Sequence, residues 1–251
     1  MKSLNDYLYF HEPGPPDIKI YLGDCLEILP LLKSESMDMV WTDPPYGHDN
    51  HNGDLNSQLN KHRGIEDKPI ENDDQENFRR VLDGSMTEVA RILDKDCCCC
   101  CCCCGGGGPR PTFAFVANRM DTNGLEFFHS VIWDKVNPGL GWRYRRQHEM
   151  IMVAKRSGGK LLWADDKQAV PNIVKEYPDR DRQHPNEKPL NIVKKFISWH
   201  GGQNVLDPFL GSGTTLVACK ELGRNGIGIE INQKYCEIAK RRLINTQTMM
   251  L

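Results

Sequence analysis

The chain has 251 residues and a formal net charge of −2, which is long enough for one large α/β domain with a sizeable core. That balance excludes a generally basic surface, so any affinity for nucleic acid must come from a local patch. No apolar stretch approaches the roughly 20 residues that span a bilayer. The N-terminus also lacks the basic-then-apolar pattern of a signal peptide, so the expectation is a cytoplasmic protein with no membrane partner.

After an irregular, proline-rich start, residues 18–22 (IKIYL) read as a strand ending in Gly23-Asp24, and residues 25–33 as a short helix. A second apolar run, Met37 to Trp41, reads as a buried strand that empties into Asp43-Pro44-Pro45-Tyr46. The carboxyl edge of such a strand is where open α/β sheets place their ligands. Asp43 offers an acceptor carboxylate, Pro44 a carbonyl and Tyr46 a stacking face, a set that suits a flat base with an exocyclic amino group. Taken alone, the same four residues also suit a Pro-Pro turn whose tyrosine caps the core.

Residues 47–74 are polar, Asn-rich and without period, which predicts a long mobile loop of the kind that serves as a lid or binding segment. Its His48, His51 and His62 have no cysteine among them and no helical i, i+4 pair. They are therefore read as solvated, and no metal site is expected. Apolar residues from Phe78 to Leu93 recur at helical spacing and predict an amphipathic helix over 75–94.

Eight of the eleven cysteines form one unbroken run, Cys97 to Cys104. Neighbouring strand side chains point to opposite faces, so a four-thiolate zinc site or vicinal disulfides are geometrically awkward. Cysteine behaves as a small buried hydrophobe, and the run is read as a central buried strand in a reducing compartment. Four glycines, Gly105 to Gly108, follow it and permit a close backbone approach to a ligand at the same sheet edge.

Further along, residues 113–120 read as a helix, 127–133 and 148–154 as strands, and 157–187 as irregular. Residues 190–199 read as a helix entered through Lys188-Pro189, with proline where its missing donor costs nothing. The last third alternates strand 204–207, helix 214–222, strand 226–231 and helix 234–244. Alternation throughout predicts a mostly parallel central sheet with helices on both faces.

The turn Asp207-Pro208-Phe209-Leu210-Gly211-Ser212-Gly213-Thr214-Thr215 closes a strand and opens a helix, where backbone N–H groups can approach a ligand. It is not a P-loop, since no lysine follows the second glycine, and the third glycine of a dinucleotide fingerprint is missing. The next strand ends in Glu230, where a carboxylate can grip both hydroxyls of a ribose. A nucleoside site without a pyrophosphate clamp matches S-adenosylmethionine, whose tail is an amino acid.

With these residues in view, the chain resembles the N6-adenine/N4-cytosine DNA methyltransferases over nearly its full length. Asp43, Pro44, Pro45 and Tyr46 match the family's catalytic tetrad. Asp207, Phe209, Gly211, Ser212, Gly213, Thr214 and Thr215 match its cofactor loop, and Glu230 its ribose-binding acid. Asp24 and Cys25 match the segment that contacts the cofactor adenine, and Lys188 lies in His184-Pro185-Asn186-Glu187-Lys188-Pro189, which matches a third cofactor-contacting segment. The tetrad precedes the cofactor loop, an order similar to the permuted β group.

The resemblance implies one Rossmann-like, S-adenosylmethionine-dependent methyltransferase domain over residues 1–251. It also implies double-stranded DNA as substrate, and leaves room for a homodimer and a cognate restriction enzyme. Residues 157–183 take the place of a short recognition segment. Trp142-Arg143-Tyr144-Arg145-Arg146, with Lys155 and Arg156 beyond, is a basic-aromatic composition that suits phosphate contact and equally a solvated charged turn. Asp at the first tetrad position is commoner in adenine enzymes, so adenine N6 is the expected target and cytosine N4 the alternative. Protein glutamine N5-methyltransferases differ in carrying Asn there and in placing the cofactor loop first. A non-catalytic DNA-binding relic would carry a damaged tetrad or cofactor loop, and both are intact in this chain.

Overall fold

The computed structural model describes residues 2–45, 75–103, 112–139, 145, 147–164, 169–178, 187–200 and 202–248. The expected loop at 47–74, the glycine run, and Tyr46, Arg143 and Arg146 lie outside these residues.

In chain order the elements are β1 (Leu8–Glu12), β2 (Ile18–Leu22), α1 (Cys25–Ile28), β3 (Met37–Thr42), α2 (Gln75–Ile92), β4 (Leu93–Cys103) and α3 (Thr112–Thr122). There follow β5 (Leu125–Asp134), β6 (His148–Arg156), β7 (Ile173–Lys175), α4 (Leu190–His200), β8 (Asn204–Asp207), α5 (Thr214–Glu221), β9 (Asn225–Glu230) and α6 (Gln233–Asn245). The described strands form one sheet in the order β1-β2-β9-β8-β3-β4-β6-β5-β7. From β2 across to β4 every pairing is parallel, whereas β6 runs antiparallel to both β4 and β5.

Side-chain alternation divides the core in two. On β3, Met39 and Trp41 join a cluster with Phe196 of α4, Leu216 of α5 and Leu243 of α6. Val40 points the other way, into a cluster with Ile28 of α1, Leu82 of α2 and Met120 of α3. Period-2 strands sandwiched by helices on both faces give this arrangement. In α4 the buried residues Ile192, Val193, Phe196, Ile197 and His200 form a helical stripe. In α5 every residue from Thr214 to Lys220 is buried, as suits a helix packed on all sides.

The position of the site follows from how the chain winds. From β3 the chain crosses to β4 on one side, and from β8 it crosses to β9 on the other. The strand order therefore reverses between β3 and β8, which pair directly. Open sheets bind ligands in the crevice at the carboxyl ends of such a pair. Asp38, at the opposite end of β3, fastens the two strands together by accepting hydrogen bonds from the backbone N–H groups of Gln203 (2.8 Å) and Asn204 (2.7 Å).

Four expectations change. The proline-rich start is not wholly irregular: Leu8–Glu12 forms an antiparallel edge strand on β2, and residues 13–16 make the turn between them. A pattern of five residues before a proline cluster carries too little periodicity to show this. The helix over 75–94 stops at Ile92, and β4 starts at Leu93 rather than Cys97. A register shift between Met37 and Met39 absorbs the extra residues. The stretch 157–187 contains the three-residue strand β7, paired to β5, too short to show in composition. Finally, the predicted helix over 25–33 is one α-turn, Cys25–Ile28, continued as a 3-10 turn through Leu31 with Pro30 inside it.

Among the described residues Phe196 is the largest fully buried side chain, and it packs between Trp41 (ring centroids 5.2 Å) and Trp199 (5.0 Å). Phe196→Ala is expected to cost about 3–5 kcal/mol of stability. Urea denaturation with an unchanged m-value checks this.

Candidate active site

The carboxyl edge of the sheet gathers the ends of β2, β9, β8 and β3. Asp43 and Pro44 follow β3, with Pro44 buried and Pro45 half-buried. The parity of Met39 and Trp41 carries Asp43 to the α4 side. There Lys188, two residues ahead of α4, places its Nζ 2.5 Å from Asp43 Oδ2. The same ammonium lies 3.6 Å from Glu149 Oε2, and Glu149 Oε1 is 2.5 Å from Lys135 Nζ. Alternating charges thus run from Lys135 at the end of β5 to Asp43. Only 6% of the Lys188 side chain is exposed, so water does little to screen the pair.

Across the crevice, Asp207 ends β8. Its Oδ1 accepts the Phe209 N–H at 3.0 Å, and its Oδ2 accepts the Thr215 hydroxyl at 2.5 Å. Burial pushes its carboxyl up to about 7, with the nearby charges of Asp43 and Glu230 adding to the rise. The two hydrogen bonds oppose it. Asp43 and Glu230 thus both act on Asp207 across the crevice.

The glycine loop is shaped by two residues that a side chain would spoil. Gly213 has φ +91, and a Cβ there would meet Ala239 Cβ at 2.6 Å, so it allows α6 to pack against the start of α5. Gly211 has φ +55 and would meet nothing within 4 Å, so its backbone borders open space. Glu230 braces this loop, its Oε2 accepting the Gly211 N–H at 2.7 Å and its Oε1 the Asn232 N–H at 2.8 Å. A carboxylate has about four acceptor positions, so bracing a loop is compatible with gripping ribose hydroxyls. At the end of β2, Asp24 caps α1 by accepting the Leu26 N–H, and the Gly23 N–H donates to the Glu230 carbonyl, tying that turn to β9. Cys25 is buried, and burial raises its thiol well above its usual value. It is a packing residue beside the site, with no thiolate character.

The structure brings together Asp24, Asp43, Pro44, Lys188, the 207–215 loop and Glu230. It does not bring Lys155 and Arg156 to them. The antiparallel strand β6 carries both to the amino edge of the sheet, where Lys155 pairs with Glu126 (2.8 Å) and Arg156 with Glu35 (2.6 Å). Arg145 lies in the β5–β6 connection at the carboxyl edge. It is exposed and bonds the Gly139 and Pro138 carbonyls.

Three residues escaped sequence reasoning. Glu149 and Lys135 meet the site only through the sheet; the one signal was a carboxylate in the apolar stretch HEMIMVAK. Arg242, on the last turn of α6, bonds the Ser212 carbonyl and hydroxyl (both 2.9 Å) and lies 2.8 Å from Glu187 Oε1. No local pattern announces it.

A strand-edge crevice with a glycine loop, an acid closing the next strand and an Asp-Pro-Pro turn is the arrangement of a nucleoside-cofactor transferase. The DNA methylase family model for N6/N4 enzymes matches residues 37–241. The chain belongs to this family of S-adenosylmethionine-dependent DNA methyltransferases. It is similar to the type II methyltransferase M.HinfI of Haemophilus influenzae, at 27% identity over 96% of this chain and 70% of that protein. It is similar also to M2.LlaDCHI of Lactococcus lactis, at 29% identity over 88% and 87%. Among solved structures, the M1.HpyAVI–SAM complex superposes with a TM-score of 0.65 at 28% identity, covering 90% of this chain and 98% of that one. PvuII methyltransferase shares the fold, with a TM-score of 0.65 at 18% identity over 92% and 94%. Among the described residues no helix is long and apolar enough to cross a membrane.

Asp207 gives a prediction about stability. Its folded carboxyl value, about 7, lies above the usual 3.8. The folded state thus holds a proton that the unfolded state has lost in this window, and stability falls as pH rises through it. Above the window the full penalty remains. Asp207→Asn is expected to gain relative to wild type as pH climbs from about 4 to about 7, measured by paired thermal melts. Parallel melting curves at every pH would refute the assignment.

Proposed function

We propose that the protein methylates the exocyclic amino group of a base flipped out of double-stranded DNA, and that the base is adenine, modified at N6. The observation that carries this reading is Asp43-Pro44 standing across the β3/β8 crevice from the Asp207–Thr215 loop. A base inside a duplex cannot reach a sheet edge, so it must leave the stack. The cofactor chemistry fits the crevice. Asp43 and Glu230 supply carboxylates for a molecule bearing a sulfonium and an ammonium, and Gly211 borders open space. When bound, S-adenosylmethionine supplies the electrophilic methyl. Glu230 is assigned the ribose hydroxyls, and the Gly211–Thr214 backbone the amino-acid tail.

The amino nitrogen of adenine is a poor nucleophile because its lone pair is delocalised into the ring. Asp43 accepting one amino hydrogen and the Pro44 carbonyl the other would favour a pyramidal nitrogen whose lone pair faces the methyl. Tyr46 is assigned, from sequence, to stack on the ring. Alignment of two bound reactants then supplies most of the rate effect. Direct displacement needs no covalent enzyme intermediate, which agrees with the neutral, buried thiols of Cys25, Cys219 and Cys236.

DNA contact is assigned to the basic-aromatic run Arg143, Arg145 and Arg146, of which Arg145 lies on the carboxyl edge, and target reading to residues 157–183. Relatives named as type II methyltransferases support a restriction-modification role with a cognate nuclease. A homodimer is compatible with that role.

Incubation with methyl-labelled S-adenosylmethionine and mixed-sequence DNA, followed by nucleoside digestion, should yield labelled N6-methyladenine; label in N4-methylcytosine would move the assignment to cytosine, and label in protein would end the DNA reading. Asp43→Ala is expected to retain cofactor binding while transfer falls by about a thousandfold or more. Loss of cofactor binding instead would show that the two half-sites are misassigned. Arg145→Ala should weaken DNA binding and lower the salt dependence by about one phosphate contact, whereas Lys155→Ala at the far edge should change neither. Salt titrations of DNA affinity measure both.

A further inference from the structure

Lys188 sits within reach of two carboxylates, and only one of them belongs to the tetrad. Its Nζ holds Asp43 Oδ2 at 2.5 Å, and Glu149 Oε2 waits at 3.6 Å. An amino group that is to donate to Asp43 Oδ2 competes with this ammonium for that oxygen. The side chain is too buried to retreat into water, and an unpaired buried ammonium is costly. A shift of under about an ångström brings it to hydrogen-bond distance of Glu149. Glu149 is itself held, since Lys135 Nζ grips its other oxygen at 2.5 Å and stands 5.3 Å over the Trp133 ring.

We propose that Lys188 is a positioning residue that alternates between Asp43 and Glu149: it keeps the Asp43 carboxylate ionised and aimed until a base arrives, then moves onto Glu149. This rests on the amino-methyltransferase reading of Asp43 given above, and assigns Lys188 a role on the base side of the crevice as well as beside the cofactor. A second reason for the move is electrostatic. As the amino nitrogen takes a methyl from a sulfonium it gains positive charge, and a cation pressed against Asp43 would oppose that change. On Glu149 the ammonium is further away and neutralised.

Glu187, the preceding residue, accepts the Thr214 hydroxyl at 3.2 Å and pairs with Arg242 at 2.8 Å. That anchor fixes the backbone from which Lys188 reaches, so its movement is confined to the side chain. Lys135 then sets how strongly Glu149 draws Lys188 across.

The test is a double-mutant cycle in single-turnover transfer by the cofactor-loaded enzyme, on DNA whose modified site has been mapped. Glu149→Gln keeps the side-chain shape and removes the charge. It is expected to slow transfer on the order of tenfold to a hundredfold. The same substitution should change S-adenosylmethionine affinity by less than about twofold, and Glu149→Asp should recover part of the rate. In a Lys188→Met background, Glu149→Gln should have almost no further effect, because the residue it serves is gone. Losses that simply multiply would show independent roles and overturn the proposal. So would a Lys188→Met enzyme that needs more cofactor but turns over normally once saturated, since that makes Lys188 a cofactor ligand alone. Should Lys188→Met fail to fold, Lys188→Gln, which also removes the charge, carries the same cycle. Failure of the underlying reading looks different: wild-type protein would then label no DNA, or Asp43→Ala would stay active.

Discussion

The reversal of strand order between β3 and β8 is the constraint on which the site depends. Two strands more than 150 residues apart in sequence lie side by side, with Asp207 ending one and Asp43 directly following the other at the same edge. Bringing Asp43, Asp207 and Glu230 into one crevice concentrates like charge where the dielectric is low, which on its own disfavours folding. The fold answers with a partner for each. Lys188 faces Asp43, the Thr215 hydroxyl and Phe209 N–H hold Asp207, and the Gly211 and Asn232 N–H groups hold Glu230. Asp207 shows the limit of this compensation, because burial still outweighs its two hydrogen bonds.

One dipeptide joins the two halves of the crevice. Glu187 is fastened to the glycine loop through Thr214 and to α6 through Arg242, while Lys188 reaches across to the β3 turn. The segment entering α4 therefore touches both the proposed cofactor loop and the proposed base clamp. A displacement at one is felt at the other through two adjacent residues and no intervening element. This gives the segment a physical role apart from direct contact with a ligand.

Much of this was legible in the chain, and what was legible had local causes. The motifs Asp43-Pro44-Pro45 and Gly211-Ser212-Gly213 are short because one turn must do the work, so sequence neighbours are also spatial neighbours. Helices α2 and α4 were readable because a buried stripe repeats every turn. Glu149, Lys135 and Arg242 were not, because each reaches the site through partners on other elements. The edge strand β1 and the three-residue β7 were also missed. Each owes its strand character to a neighbour's unpaired edge, with little pattern of its own.

The two basic groups show the same point in reverse. Arg145 and Lys155 are ten positions apart and read as one patch on paper. Lys155 lies near the far end of β6, nine residues long, and at about 3.4 Å per residue this strand carries the chain roughly 30 Å from one sheet edge to the other. Charge that is contiguous in sequence is thereby divided between opposite ends of the domain. The arginine stays at the carboxyl edge with the crevice, and the lysine is spent on Glu126 at the amino edge. For a chain of net charge −2, attraction to a polyanion has to be local. The antiparallel insertion of β6 decides which cations are local, leaving Arg145 on the crevice side and Lys155 on the far side.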